Sequence, residues 1–161
     1  MAMDPDNTLP LAGIKVIDFG QYLAGPAVAM MLADLGATVI HIDPPGGPRW
    51  TSTANATLNR NKTLLEIDLK TPDGLDQARQ LIDEADVIIE NFRPGVMSRL
   101  GLCPAQLREQ RPELITLSLP GFASNDSRRR HWRAFKSIIA ASSGVFTDMG
   151  LNRVLMGINP S

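Results

Sequence analysis

Residues 15–42 read strand, helix, strand, and that order constrains the fold more than any other feature of the chain. KVIDF (15–19) is a short apolar run that stops at Gly20, as a buried strand does. Pro26 suits the first turn of a helix, where its missing N–H leaves no bond unmade. Val28, Met31, Leu32 and Leu35 then recur at helical spacing, and Gly36 is well chosen for the stop that follows a helix. TVIHI (38–42) returns to strand character. A link of roughly a dozen and a half residues carrying one helix predicts two parallel strands joined by a right-handed crossover.

The alternation continues. DPPGGPRWTSTANATLNRNK (43–62) is rich in turn residues, shows little periodicity and reads as a long loop, a feature that is often functional. TLLEIDL (63–69) has strand character. TPDGLDQARQLIDEA (71–85) predicts a helix with Thr71 as N-cap, Pro72 behind it and Asp73 in the first turn. Leu75, Ala78, Leu81 and Ile82 line one face of that helix. DVIIEN (86–91) reads as a short buried strand, RPGVMSRLGL as a loop, PAQLREQRP as a short helix and ELITLSL (113–119) as a strand. The fold class is therefore α/β: a Rossmann-like, mostly parallel sheet with helices on both faces.

After Phe122 the chain changes. ASNDSRRRHWRAFK (123–136) holds five Lys or Arg against one Asp, and WRAFKSIIAASSG (132–144) predicts a helix. RVLMGINPS reads as the start of another element, so the chain is expected to be part of something longer. The organisation is an extension at 1–12, an α/β lobe at 13–122, and a basic loop, helix and truncated element at 123–161. Such a piece is expected to expose an apolar surface and to associate when isolated.

Composition narrows the function classes. A net charge of −1 gives no global field to recruit nucleic acid or an anionic membrane. A short basic run with one tryptophan, RRRHWR, is by default a solvated face. No apolar stretch approaches the ~20 residues needed to span a bilayer. The acidic, Pro-containing N-terminus lacks the basic segment and apolar run of a secretory signal. One cysteine, Cys103, rules out an internal disulfide and fits a reducing compartment. Cys103 is read as a small residue near a helix start. The expectation is a soluble, cytoplasmic protein with no nucleic-acid or membrane partner and no metal.

In open α/β sheets ligands lie beyond the carboxyl ends of the strands. Four such ends are FGQYLAGP, IDPPGGPR, ENFRPG and LPGF. Their glycines either let backbone approach a ligand or only serve tight turns. Gln21, Arg49 and Arg93 suit an anionic nucleotide, arginine through its planar fork of donors, and helix N-termini at Ala24–Pro26 and Pro94 add partial positive charge. Asp43 stands where dinucleotide enzymes keep a ribose-binding acid, but no G-x-G-x-x-G precedes it, which argues against NAD. His41 lies inside a strand run and reads as a satisfied core histidine.

Four blocks in register, LAGIKVIDFGQYLAGPAVAMMLADLGATVIHID, NRNKTLLEIDLKTPDG, ADVIIENFRPGVMSRLGL and RPELITLSLPGF, carry a more specific signal. Together they resemble the class III CoA-transferase family, which includes formyl-CoA transferase, carnitine CoA-transferase and alpha-methylacyl-CoA racemase. The resemblance runs from Leu11 to Phe122 and weakly on to Gly144. It implies a Rossmann-like large domain that binds coenzyme A as acyl-CoA substrate, with a carboxylic acid as second substrate, and an interlocked homodimer in the full-length protein. Positions that resemble the family's CoA contacts are Gln21, Leu23, Ala24, Ile67, Lys70, Asn91, Phe92, Arg93 and Arg99. Lys70, Arg93 and Arg99 suit phosphates, and Phe92 suits packing against adenine.

The chain departs from the family further on. Where most members open a helix with YDPxxQAxSG, it has AFKSIIAASSG. Lys136 stands in place of the Asp, and Phe135 in place of the racemase branch's catalytic histidine. The transferase branch forms an acyl-aspartyl anhydride on an Asp in the next loop, which would fall near GINPS, where there is no aspartate. Two explanations follow: catalytic residues beyond Ser161, or a fused two-module protein whose first module has lost its nucleophile. The altered helix opening favours the second.

Overall fold

The computed structural model describes residues 9–123, 125–132 and 134–144. These fall into two compact units, one ending at Leu119 and the other beginning at Pro120. The first contains β1 (Lys15–Asp18), α1 (Ala24–Asp34), β2 (Thr38–Asp43), α2 (Ala54–Leu58), β3 (Lys62–Glu66), α3 (Pro72–Asp83), β4 (Val87–Glu90), α4 (Val96–Arg99), α5 (Pro104–Gln110) and β5 (Ile115–Ser118). The strands lie in the order β3-β2-β1-β4-β5, and every neighbouring pair is parallel. The chain runs outward from β1 to β3, then restarts on the other side of β1 with β4. The strand order therefore reverses between β1 and β4, the place where such sheets open a crevice.

Alternation along the strands sorts side chains to the two faces. Val16, Val39 and Ile89 pack with Ala29 and Ala33 of α1. Ile17, Ile42 and Ile88 pack with Ala78 and Ile82 of α3, together with Met97, Leu102 and Leu114. α3 begins as its sequence predicts: Thr71 Oγ1 accepts the Gly74 amide at 3.1 Å, with Pro72 first in the helix. No helix among the described residues is long and apolar enough to cross a membrane. α1 is apolar on its outer side as well, leaving Leu23, Met31 and Leu35 exposed.

Several boundaries differ from the sequence expectation. The long loop at 43–62 contains α2, and its last residue already belongs to β3. A five-residue helix with one buried side chain, Leu58, is too short to display a period. β3 ends at Glu66, because the chain turns at Asp68, whose carbonyl accepts the Thr71 amide at 3.1 Å. RPGVMSRLGL, expected as a loop, includes the single turn α4; it starts at Val96, after Gly95 in the left-handed region (φ 83°), so no helix begins at Pro94.

The NRNK segment fastens β3 to α1. Arg60 pairs with Asp34, its Nε lying 3.0 and 3.1 Å from the two carboxylate oxygens, and Asn61 Nδ2 donates to Asp34 at 3.0 Å. The Arg60 hydrogen bond holds the Asp34 carboxyl below the ordinary range. A carboxyl lowered by folding adds stability above its unfolded value and loses it as pH falls through the folded one. Arg60→Ala is expected to move the Asp34 midpoint upward in an NMR titration; an unmoved midpoint would refute the pairing.

The second unit holds α6 (Lys136–Ser142). The helix starts later than the expected Trp132, because Trp132 is still in a turn, its amide donating to the Arg129 carbonyl at 2.8 Å. Arg129 is engaged within this unit, its Nε 2.6 Å from Asp126 and its guanidinium 5.7 Å from the Phe122 ring centre. Phe135 is the N-cap of α6 and is half exposed. The GINPS segment lies outside the described residues.

Candidate functional site

The site grows from the last residue of β1. Asp18 is fully buried, and its Oδ1 accepts the Gly20 amide at 2.8 Å, bending the chain sharply off the strand. The bend brings Gly20 against Gly25 at the start of α1. A Cβ on Gly20 would stand 2.7 Å from the Gly25 Cα, so these two glycines serve chain-to-chain contact rather than a ligand. Between them Tyr22 adopts φ 67°, a left-handed conformation uncommon for a residue without a short polar side chain.

Asp18 Oδ2 faces two cationic or proton-bearing groups. His41 Nδ1 lies 2.8 Å away and Lys62 Nζ 3.1 Å away. His41 Nε2 in turn lies 3.2 Å from Asp43 Oδ1, and Lys62 also donates to the Pro26 carbonyl at 2.8 Å. All four side chains are shut off from solvent or nearly so. Burial, opposed by the nearby Asp18, holds the Lys62 ammonium below its ordinary range. Each ring nitrogen of His41 faces a carboxylate oxygen, and the Lys62 ammonium brings a second polar group to Asp18. His41 is thus fully partnered, and Asp43 is engaged by it. The Lys62 contacts span 44 and 36 positions of sequence, so nothing local in the sequence announces them.

Next to this cluster, beyond the carboxyl ends of β1 to β4, lies a cavity of about 500 Å³. Phe19, Ile42, Ile67 and Phe92 give it apolar walls. Arg49, Lys70 and Arg93 stand on its exposed rim. None of these three cationic heads has a side-chain partner among the described residues. Two carboxylates, Asp43 and Asp68, also line it, the first held by His41 and the second accepting the Lys70 amide at 3.0 Å. Unpaired guanidinium and ammonium groups beside a flat aromatic wall suit a phosphorylated ligand that carries a ring.

Of the nine positions singled out in the sequence, Gln21, Ile67, Lys70, Phe92 and Arg93 line this cavity. Leu23 is the exposed N-cap of α1 and Ala24 its first residue, and neither faces the cavity. Asn91 is bonded to the backbone of Gln21, and exposed Arg99 ends α4 outside the lining. Pro44 and Pro45, within the strand end IDPPGGPR, and Asp68 also belong to the lining, though none of the three was singled out as a contact. Among the described residues no group of His, Cys, Asp and Glu side chains is arranged to hold a metal.

The model of CoA-transferase family III matches residues 11–155. The CoA-transferase/lyase DddD of Marinomonas sp. (strain MWYL1) is 68% identical over 159 residues, which are 99% of this chain and 19% of that protein. The probable fatty acyl-CoA transferase Rv3272 of Mycobacterium tuberculosis is 38% identical over 87% of this chain and 38% of its own length. A crystal structure of Rv3272 superposes with a TM-score of 0.79 at 39% identity, over 87% of this chain and 40% of that one. A CAIB/BAIF family protein from Brucella suis gives a TM-score of 0.77 at 33% identity, over 86% and 40%. The chain therefore spans about a fifth of the first relative and about two fifths of the others.

Proposed function

The chain belongs to CoA-transferase family III, and on that premise we propose that its sheet-end cavity binds coenzyme A, as the CoA-holding lobe of an enzyme that moves CoA between an acyl-CoA thioester and a carboxylic acid. The observation that supports this best is the set of three unpartnered cations, Arg49, Lys70 and Arg93, around a cavity walled by Phe92. Coenzyme A carries three phosphate groups and an adenine, so cations matched to phosphates and an aromatic face matched to a base fit it. The dinucleotide alternative lacks both the glycine fingerprint and a free acid at Asp43, which is engaged by His41.

In the transferase reaction a carboxylate attacks the thioester carbonyl, the C–S bond breaks and CoA leaves as thiolate, so that the acyl group is held as an anhydride. Neither Phe135 nor Lys136 is able to act as that carboxylate. A second reading is a noncatalytic first module of a fused two-module protein. Length supports the two-module part of this reading: nearly the same stretch is 19% of DddD but 38% of Rv3272, which makes DddD about twice as long.

Calorimetric titration with coenzyme A, after circular dichroism has shown a folded state, tests the proposal with NAD as control. Binding of CoA and not of NAD is the expected result. A folded protein that takes up no CoA would sink the first reading and leave the scaffold module.

A further inference from the structure

We propose that Asn91 is a positioning residue, which locks the β1 loop to the β4 loop and so shapes the cavity, rather than a group that touches the ligand. The inference rests on the cavity being the CoA site. Both ends of the Asn91 amide are already engaged. Its Oδ1 accepts the Gln21 amide at 2.8 Å and its Nδ2 donates to the Gln21 carbonyl at 2.6 Å. This pairing also fixes which end of the side chain is oxygen, because a backbone N–H must meet an acceptor and a carbonyl must meet a donor.

Position gives the clamp its importance. Asn91 follows β4 and Gln21 follows β1, 70 residues earlier, so the two bonds cross the point where the strand order reverses. Gln21 carries the link onward, its Nε2 donating to the Ile42 carbonyl on β2 at 3.3 Å. Three adjacent strand ends are thereby tied in a row. The tie also holds the loop in which Tyr22 takes its left-handed turn. Without it the Gln21–Tyr22 segment has no other side chain gripping its main chain among the described residues, and the wall between Phe19 and Phe92 loses its fixed width.

Two measurements on the ligand-free and ligand-bound protein decide the matter. In the ligand-free protein, amide exchange is read residue by residue by NMR. Asn91→Ala is expected to speed exchange of the Gln21 amide about tenfold. The Phe19 amide, bonded to the Ile89 carbonyl at 2.8 Å, stays as slow as before. In the second measurement, Asn91→Ala weakens CoA binding about tenfold at a temperature where it is fully folded. Asn91→Asp keeps the acceptor for the Gln21 N–H but sets its other oxygen against the Gln21 carbonyl, so it binds no better than Asn91→Ala.

Arg111→Ala is the stability control. It removes bonds to the Ile82 and Ala85 carbonyls at the amino ends of the strands, so it lowers Tm and leaves CoA affinity unchanged. Unaltered Gln21 exchange in Asn91→Ala would overturn the clamp. So would loss of CoA binding with the Gln21 amide still protected, which would make Asn91 a ligand contact. If the wild-type protein binds no CoA, the function proposed for the cavity fails, and the exchange measurement still judges the clamp by itself.

Discussion

Lys62→Met is expected to destabilise the protein by about 3–5 kcal/mol, because it removes one cation from a buried cluster and leaves the rest of the charges in place. Asp18 and Asp43 would then keep only His41 as a shared side-chain partner, inside a core where the Lys62 and Asp18 side chains have no contact with water. The Pro26 carbonyl would lose the Lys62 ammonium as a donor at the same time. A loss of this size is a large part of the 5–15 kcal/mol that holds a domain together. Denaturant unfolding measures it, and the double variant Asp18→Asn/Lys62→Met separates charge from packing. Neutralising Asp18 removes the orphaned charge, so the double variant is expected to be less damaged than the sum of the two singles. A single Lys62→Met variant within about 1 kcal/mol of wild type, or strict additivity in the cycle, would show that the cluster is not the electrostatic unit its geometry indicates.

This cluster also marks where sequence reading stops. The β1–α1–β2 unit was legible because its signals are local: an apolar run, a proline and a glycine at the ends of a helix, and Val28, Met31, Leu32 and Leu35 at helical spacing. That stripe is not the buried face, since Met31 and Leu35 are exposed and Ala29 and Ala33 face the sheet. α3 was legible through the Thr71 cap for the same reason. α2 and α4 were not, since one turn of helix holds too few residues to show a period. The place of the site followed from the topology, and the four blocks of family resemblance picked out Ile67, Lys70, Phe92 and Arg93, which do meet at one cavity. What neither route supplied is the pairing of partners far apart in sequence. Asp18 with His41 and Lys62, and Gln21 with Asn91, lie 23 to 70 positions apart and are brought together only by strand order. Residue type carried part of the message: His41 read as a satisfied core histidine and is one. Asn91 read as a ligand contact by resemblance, while its amide is engaged with backbone.

Arg93→Ala is expected to weaken coenzyme A binding ten- to a hundredfold, and the combined loss of Arg49, Lys70 and Arg93 to bring it below detection by calorimetry. Hydrogen bonds to charged groups are worth about 1.5–3 kcal/mol, and each 1.4 kcal/mol is a factor of ten. These side chains have the freedom to make such bonds, because none of them is hydrogen-bonded or ion-paired to a carboxylate among the described residues. Salt supplies the check on cause. The rim is exposed to solvent, so raising ionic strength from about 0.1 to about 1 M, which shortens the screening length from about 10 to about 3 Å, should erode wild-type affinity and narrow its lead over Arg93→Ala. Phe92→Ala should behave differently, losing affinity through aromatic contact with a deficit that salt leaves nearly constant. Arg99, outside the lining, gives the contrast within one loop: its replacement by alanine should cost less than that of Arg93. If Arg93→Ala binds CoA as tightly as wild type at low salt, the cations on the rim are merely solvated, and the cavity loses the feature that matches it to a phosphorylated ligand.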